Sequence, residues 1–216
     1  MLIFISLLYA LFVMLLLSSL FSKKTKPYYI LFKTISSLLF CLLAMYSQMK
    51  FHDSILSIFP FIFCLGGDVY LGFYNQSKNK NYFRYGLLSF LFGHLLFVYQ
   101  FQKIVPMRIY DFIFPFLSLF VLHFLEKKNM VHIGKLLPLC MIYSIFVSLL
   151  LCKGTELFFL EQTLPCCIYF LACTLFYISD FIIVFLYFRK DTPTIHFFNL
   201  ITYFLAMYLF AISPLF

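Results

Sequence analysis

Charge is what this sequence has least of. Only 11% of its 216 residues are Asp, Glu, Lys or Arg, against 64% hydrophobic residues. So little polar surface cannot enclose a water-soluble globule, which excludes soluble enzymes and soluble binding modules. Long polar stretches are missing as well. About 20 helical residues cross the roughly 30 Å hydrocarbon core, so the chain has room for at most about eight short spans and none for a soluble domain. No CxxC pair or ligand spacing joins Cys41, Cys64, Cys140, Cys152, Cys166, Cys167 and Cys173, which lie in or beside apolar runs and read as small packing residues. The first apolar run has no basic leader and is followed by Lys23, Lys24 and Lys26, so it reads as a retained helix rather than a signal peptide.

What is present is an all-α pattern: a polytopic membrane protein of eight transmembrane helices, forming a single integral membrane domain over residues 1–216. The apolar runs place the helices at about Leu2–Phe21, Pro27–Tyr46, Ser54–Phe73, Tyr82–Phe101, Asp111–Leu125, Leu136–Cys152, Leu164–Phe188 and His196–Phe210. The net charge of +8 would suggest nucleic acid for a soluble protein; here the basic residues lie between apolar runs, so the expected partner is the lipid bilayer and not nucleic acid. Alternate loops carry Lys23, Lys24, Lys26, Lys78, Lys80, Arg84, Lys127, Lys128, Lys135, Arg189 and Lys190, against Lys50, Lys103, Arg108 and Lys153 in the others. The positive-inside bias then predicts both termini on the non-cytoplasmic side, in a bacterial inner membrane or the endoplasmic reticulum. Glu156 and Glu161 fall in a loop and are expected to be solvated.

Two apolar runs each contain one carboxylate, Asp68 in the third helix and Asp180 in the seventh. A charge in hydrocarbon costs several kcal/mol, so such a residue is neutralised, paired or turned to a polar cavity, and marks a candidate site. On helix two, Lys26, Tyr29, Lys33 and the pair Ser36 and Ser37 share a face; on helix eight, His196, Asn199, Tyr203 and Ala206 do. His94 falls near the middle of helix four. At 1.5 Å per residue, the expected helix ends put Asp68 roughly 7 Å, Lys33 roughly 10 Å, Asp180 roughly 12 Å and His94 roughly 18 Å into the membrane from the cytoplasmic side. One cytoplasm-facing pocket gathering these groups is the expectation. The two aspartates each lie on the third of four helices, which suggests a 4 + 4 parallel repeat.

At these residues the chain resembles the YhhN/TMEM86 family of membrane lysoplasmalogenases. The similarity runs through Thr25-Lys26-Pro27, Leu65-Gly66-Gly67-Asp68, the stretch from Gly86 to His94, Ser179-Asp180 and the Thr202-Tyr203 to Ala206 run. Two features depart from it: Met207 stands where a polar Gln is expected, and Phe replaces Leu or Ala at many positions. The resemblance implies an eight-helix hydrolase that cleaves the vinyl ether of lysoplasmalogens to a fatty aldehyde and glycerophosphoethanolamine or glycerophosphocholine. It implies Asp68 and Asp180 as catalytic residues, a lysophospholipid substrate and no cofactor.

The chemistry fits such a pair. Protonating the β-carbon of a vinyl ether makes an oxocarbenium ion that water captures, so one acid and one anion are wanted. Two carboxyl groups in a low-dielectric pocket supply both. Asp180, the deeper by helix length, is expected to be the acid and Asp68 the carboxylate, with Lys33, His94, Asn199 and Tyr203 contacting substrate. A proton-coupled transporter is the alternative, although no helix is broken by Gly and Pro at matching places in the two halves. An intramembrane aspartyl protease would need Tyr110-Asp111 and Gly66-Gly67-Asp68 in the opposite order. A zinc site is not expected, since no two of His94, His123, His132 and His196 share an i, i+4 face.

Overall fold

The computed structural model describes residues 1–51 and 55–215, so the expected start of the third helix at Ser54 lies outside the described residues. These form eight α-helices and no strand: α1 (Leu2–Ser19), α2 (Tyr29–Phe51), α3 (Phe59–Ser77), α4 (Lys80–Ile104), α5 (Ile113–Lys127), α6 (Leu137–Glu161), α7 (Leu164–Phe188) and α8 (Pro193–Ile212). Prolines start several of them. Pro27 lies in the 3-10 turn Lys26–Tyr28 that leads into α2, and proline occupies the first turn of α3, α6 and α7. A first turn has no partner for the N–H that proline lacks. α3 and α6 stop where Lys78 and Gln162 turn left-handed, at φ 56° and 48°.

Seven helices, some with the short turn that precedes them, are long and apolar enough to cross a bilayer. α3 is not among them, because Asp68 and the polar end Asn75-Gln76-Ser77 dilute its apolar residues. The expected bounds hold for α7. Among the others, α3 continues past Phe73 to Ser77, and α6 continues past Cys152 to Glu161. The second change moves Lys153 and Glu156 out of a loop and onto a helix, where each finds an ion partner. α2 likewise continues past Tyr46 to Phe51, and the other described ends shift by a turn or less.

The chain divides into two compact units, Met1–Leu96 with Met207–Phe216, and Phe97–Ala206. In the first, α2 packs between α1 and α3. The last turns of α8 join it: Tyr208 stacks on Tyr9 with ring centroids 5.6 Å apart, and Ser47 Oγ donates to the Ala211 carbonyl at 2.6 Å. α3 meets α4 through the ring pairs Tyr70–Tyr85, Phe73–Tyr82 and Phe63–Phe92. Close approach there requires Gly67, since a Cβ on it would lie 2.5 Å from the Phe90 ring. Gly67→Ala should therefore lower stability by about 1–3 kcal/mol. An unfolding midpoint in detergent equal to that of the wild type would show that Phe90 yields without cost.

In the second unit, α6 packs against α5 and α7. Ser148 Oγ donates to Ser118 Oγ at 2.8 Å, and Ser118 Oγ lies 3.1 Å from Tyr177 Oη, so one chain of hydroxyls links the three helices. Gly154 performs the same service as Gly67: a Cβ there would meet Cys173 Sγ at 2.6 Å.

Candidate functional site

The α2–α3 seam of the first unit is polar at its centre. Lys33 and Ser37 lie one turn apart on α2, and both reach Asp68 of α3. Lys33 Nζ is 3.1 Å from Asp68 Oδ1, and Ser37 Oγ donates to Asp68 Oδ2 at 2.6 Å. The side chains of Lys33 and Asp68 are 5% and 1% exposed, so this is a fully enclosed ion pair. The buried carboxylate thus has an ammonium on one oxygen and a hydroxyl donor on the other. Gly72, one turn along α3, keeps the seam tight against Ile30, and Asn75 Nδ2 donates to Tyr29 Oη at 3.3 Å beyond it. Tyr9 of α1 and Cys41 of α2 lie within electrostatic reach of Asp68. Tyr9 is buried, a lone phenol in an apolar run that the sequence does not mark out.

His94 is fully buried in α4, and its Nδ1 lies 2.7 Å from the Phe90 carbonyl. A carbonyl only accepts, so Nδ1 carries the hydrogen of that bond and, in the neutral ring, Nε2 is the acceptor. The longer α3 corrects the depth of Asp68. It lies roughly 13 Å from its helix end, and Asp180 roughly 12 Å from its own. Distance from the helix end therefore no longer distinguishes the two aspartates.

The second unit holds Asp180, Asn199 and Tyr203. Asp180 is buried on α7. The turn that carries it is clasped to α8: Asn199 Nδ2 donates to the Ser179 carbonyl and to Ser179 Oγ, each at 2.9 Å. Asn199 thus has a positioning role beside the contact with substrate expected of it. Tyr203 is buried with its ring 5.6 Å from that of Phe176, so its ring packs on α7. His196 lies 3.8 Å from Asp191 and edge-on to Tyr187. Met207, the departure from the expected Gln, is fully buried, which suits an apolar side chain. Among the described residues no three His, Cys, Asp or Glu side chains gather as a metal site.

A second charged cluster was not foreseen. Lys153 of α6 is 0% exposed and donates to the Pro106 carbonyl at 3.0 Å, to Asp111 Oδ2 at 2.5 Å and to Glu156 Oε2 at 2.6 Å. Glu156, expected in solvent, is instead 14% exposed and ion-paired, while Glu161 is exposed as anticipated. Asp111 also caps the 3-10 turn Ile109–Phe112, accepting from the Arg108 N–H at 2.7 Å. Three charges in two apolar stretches, at Asp111, Lys153 and Glu156, were the signal that could have found it.

Helices of bilayer length, with charges inside them closed into buried pairs, are the make-up of an integral membrane protein. The chain belongs to the YhhN family, whose family model matches residues 28–213. No curated protein and no solved structure matches it.

Proposed function

We propose that this protein is a lysoplasmalogenase-like hydrolase, cleaving the vinyl ether of a lysophospholipid within the membrane. The observation that carries the reading is the enclosed Asp68–Lys33 pair with Ser37, a carboxylate given an ammonium and a hydroxyl partner inside an otherwise apolar helix. Membership of the YhhN family supports the reaction class. In this reading Asp180 protonates the β-carbon, the Asp68 carboxylate opposes the oxocarbenium charge or activates water, and the hemiacetal collapses to aldehyde and the glycerophospho-headgroup. Lys33 is the group a substrate phosphate would draw toward itself, which would release Asp68 for that work. His94, Asn199 and Tyr203 hold substrate or the helix turns around it, and no cofactor enters.

The proposal carries eight membrane spans, a 4 + 4 parallel relation between halves and both termini outside the cytoplasm. Lys153 counts as a buried partner rather than a loop charge, which strengthens the loop asymmetry. Side-selective labelling of single cysteines placed at the termini should modify them only from the non-cytoplasmic face; modification from the cytoplasm reverses the topology.

The purified protein, incubated with 1-alkenyl and 1-acyl lysolipids, should release aldehyde from the first and little fatty acid from the second. Fatty acid alone, or neither product, removes the assignment. Solute flux driven by a pH gradient without lysolipid turnover identifies the transporter instead.

A further inference from the structure

The cluster of Asp111, Lys153 and Glu156 is unbalanced. One ammonium faces two carboxylates, and all of its three donors are spent on Pro106 O, Asp111 Oδ2 and Glu156 Oε2. The other two carboxylate oxygens, Asp111 Oδ1 and Glu156 Oε1, are buried and accept no hydrogen bond among the described residues. Asp111 itself is 1% exposed. Bare carboxylate oxygens in a low-dielectric interior, carrying one uncompensated negative charge, are costly as they stand. The two oxygens that share Lys153 Nζ lie within roughly 5 Å of each other, close enough for one added charge to serve both carboxylates.

We propose that Asp111 and Glu156 bind one further positive charge, a proton or a small alkali cation, on the oxygens that Lys153 does not occupy. Among the described residues, Lys153 is the cation paired with these carboxylates. Arg108 contributes its backbone N–H, while its guanidinium is turned to Tyr110 Oη at 2.7 Å. Cys152 of α6 lies within electrostatic reach of the cluster, and Cys173 of α7 packs on the neighbouring Gly154. The ionisable residues of α5, His123, Glu126 and Lys127, are at the far end of that helix. Since the cluster ties the Pro106 segment and the start of α5 to the end of α6, an added charge would tighten that end of the unit.

The test uses the full chain in nanodiscs of zwitterionic lipid. Its unfolding midpoint is followed against sodium, with choline at equal ionic strength as control, and separately against pH. Binding should raise the midpoint by roughly 2–4 °C in one of the two series. Glu156→Gln leaves one carboxylate for one ammonium, so it should fold and lose that response. A sodium-specific rise absent from E156Q identifies an alkali cation. A rise on acidification, with an infrared carbonyl band of a protonated carboxyl that E156Q lacks, identifies the proton. A wild type that responds in neither series, or a response that E156Q retains, overturns the site.

Discussion

Aldehyde release from an alkenyl lysolipid should fall roughly 10²–10⁴-fold in Asp68→Asn, the range expected for loss of a positioned acid, base or charge-stabilising group. Asparagine fills the same space and its carbonyl can still accept from Ser37, but it cannot be an anion. The structure adds a complication that the sequence did not contain. Removing the carboxylate strands the Lys33 ammonium at 5% exposure, and an uncompensated buried charge costs about 3–5 kcal/mol. A silent D68N variant could thus be inactive because it is unfolded. The double substitution Lys33→Met/Asp68→Asn removes both charges and should restore the unfolding midpoint toward that of the wild type without restoring turnover. Full turnover in the folded double variant would make the pair a packing device and dismiss Asp68 from the chemistry.

Lys153→Met should be the most destabilising single substitution in the second unit. Methionine retains much of the apolar stem but removes the donor that Pro106 O, Asp111 and Glu156 share. Two carboxylates are then left facing each other in an interior where neither is balanced, and the expected loss is at least about 3–5 kcal/mol. Adding Asp111→Asn and Glu156→Gln to it should recover most of the loss, because neutral amides can pair with each other. The measurement is the unfolding midpoint of the three proteins in the same detergent. If Lys153→Met unfolds with the wild type, the cluster contributes nothing to stability.

These two centres differ in how far they could be read from sequence. Asp68 was conspicuous, a single carboxylate within an apolar run, and Lys33 and Ser37 lay on a recognisable polar face of α2. Lys153 and Glu156 were mistaken for loop residues because charge near the end of an apolar run ordinarily signals the end of a span. Their partner, Asp111, is 42 residues before Lys153, and nothing local to either reveals it. Asn199 lies on a polar stripe of α8 that suggests contact with substrate, and its hold on Ser179 across to α7 could not be read from that stripe. Tyr9 is inconspicuous in the sequence because α1 carries no charged residue that would set it apart.

From sequence alone came the all-helical membrane character, the starts and stops of most helices, the family resemblance and the positions of the two intramembrane aspartates. All of these are local properties: in hydrocarbon a backbone must satisfy its own hydrogen bonds, so an apolar run between prolines and loop charges becomes a helix whatever its neighbours. The pairing of charges was decided only by the tertiary structure. Whether Lys33 meets Asp68, or Lys153 meets Asp111 and Glu156, depends on the register of one helix against another. Contacts between those same helices fix it, Gly72 of α3 against Ile30 of α2 and Ser148 of α6 bonded to Ser118 of α5, and they couple residues far apart in the chain.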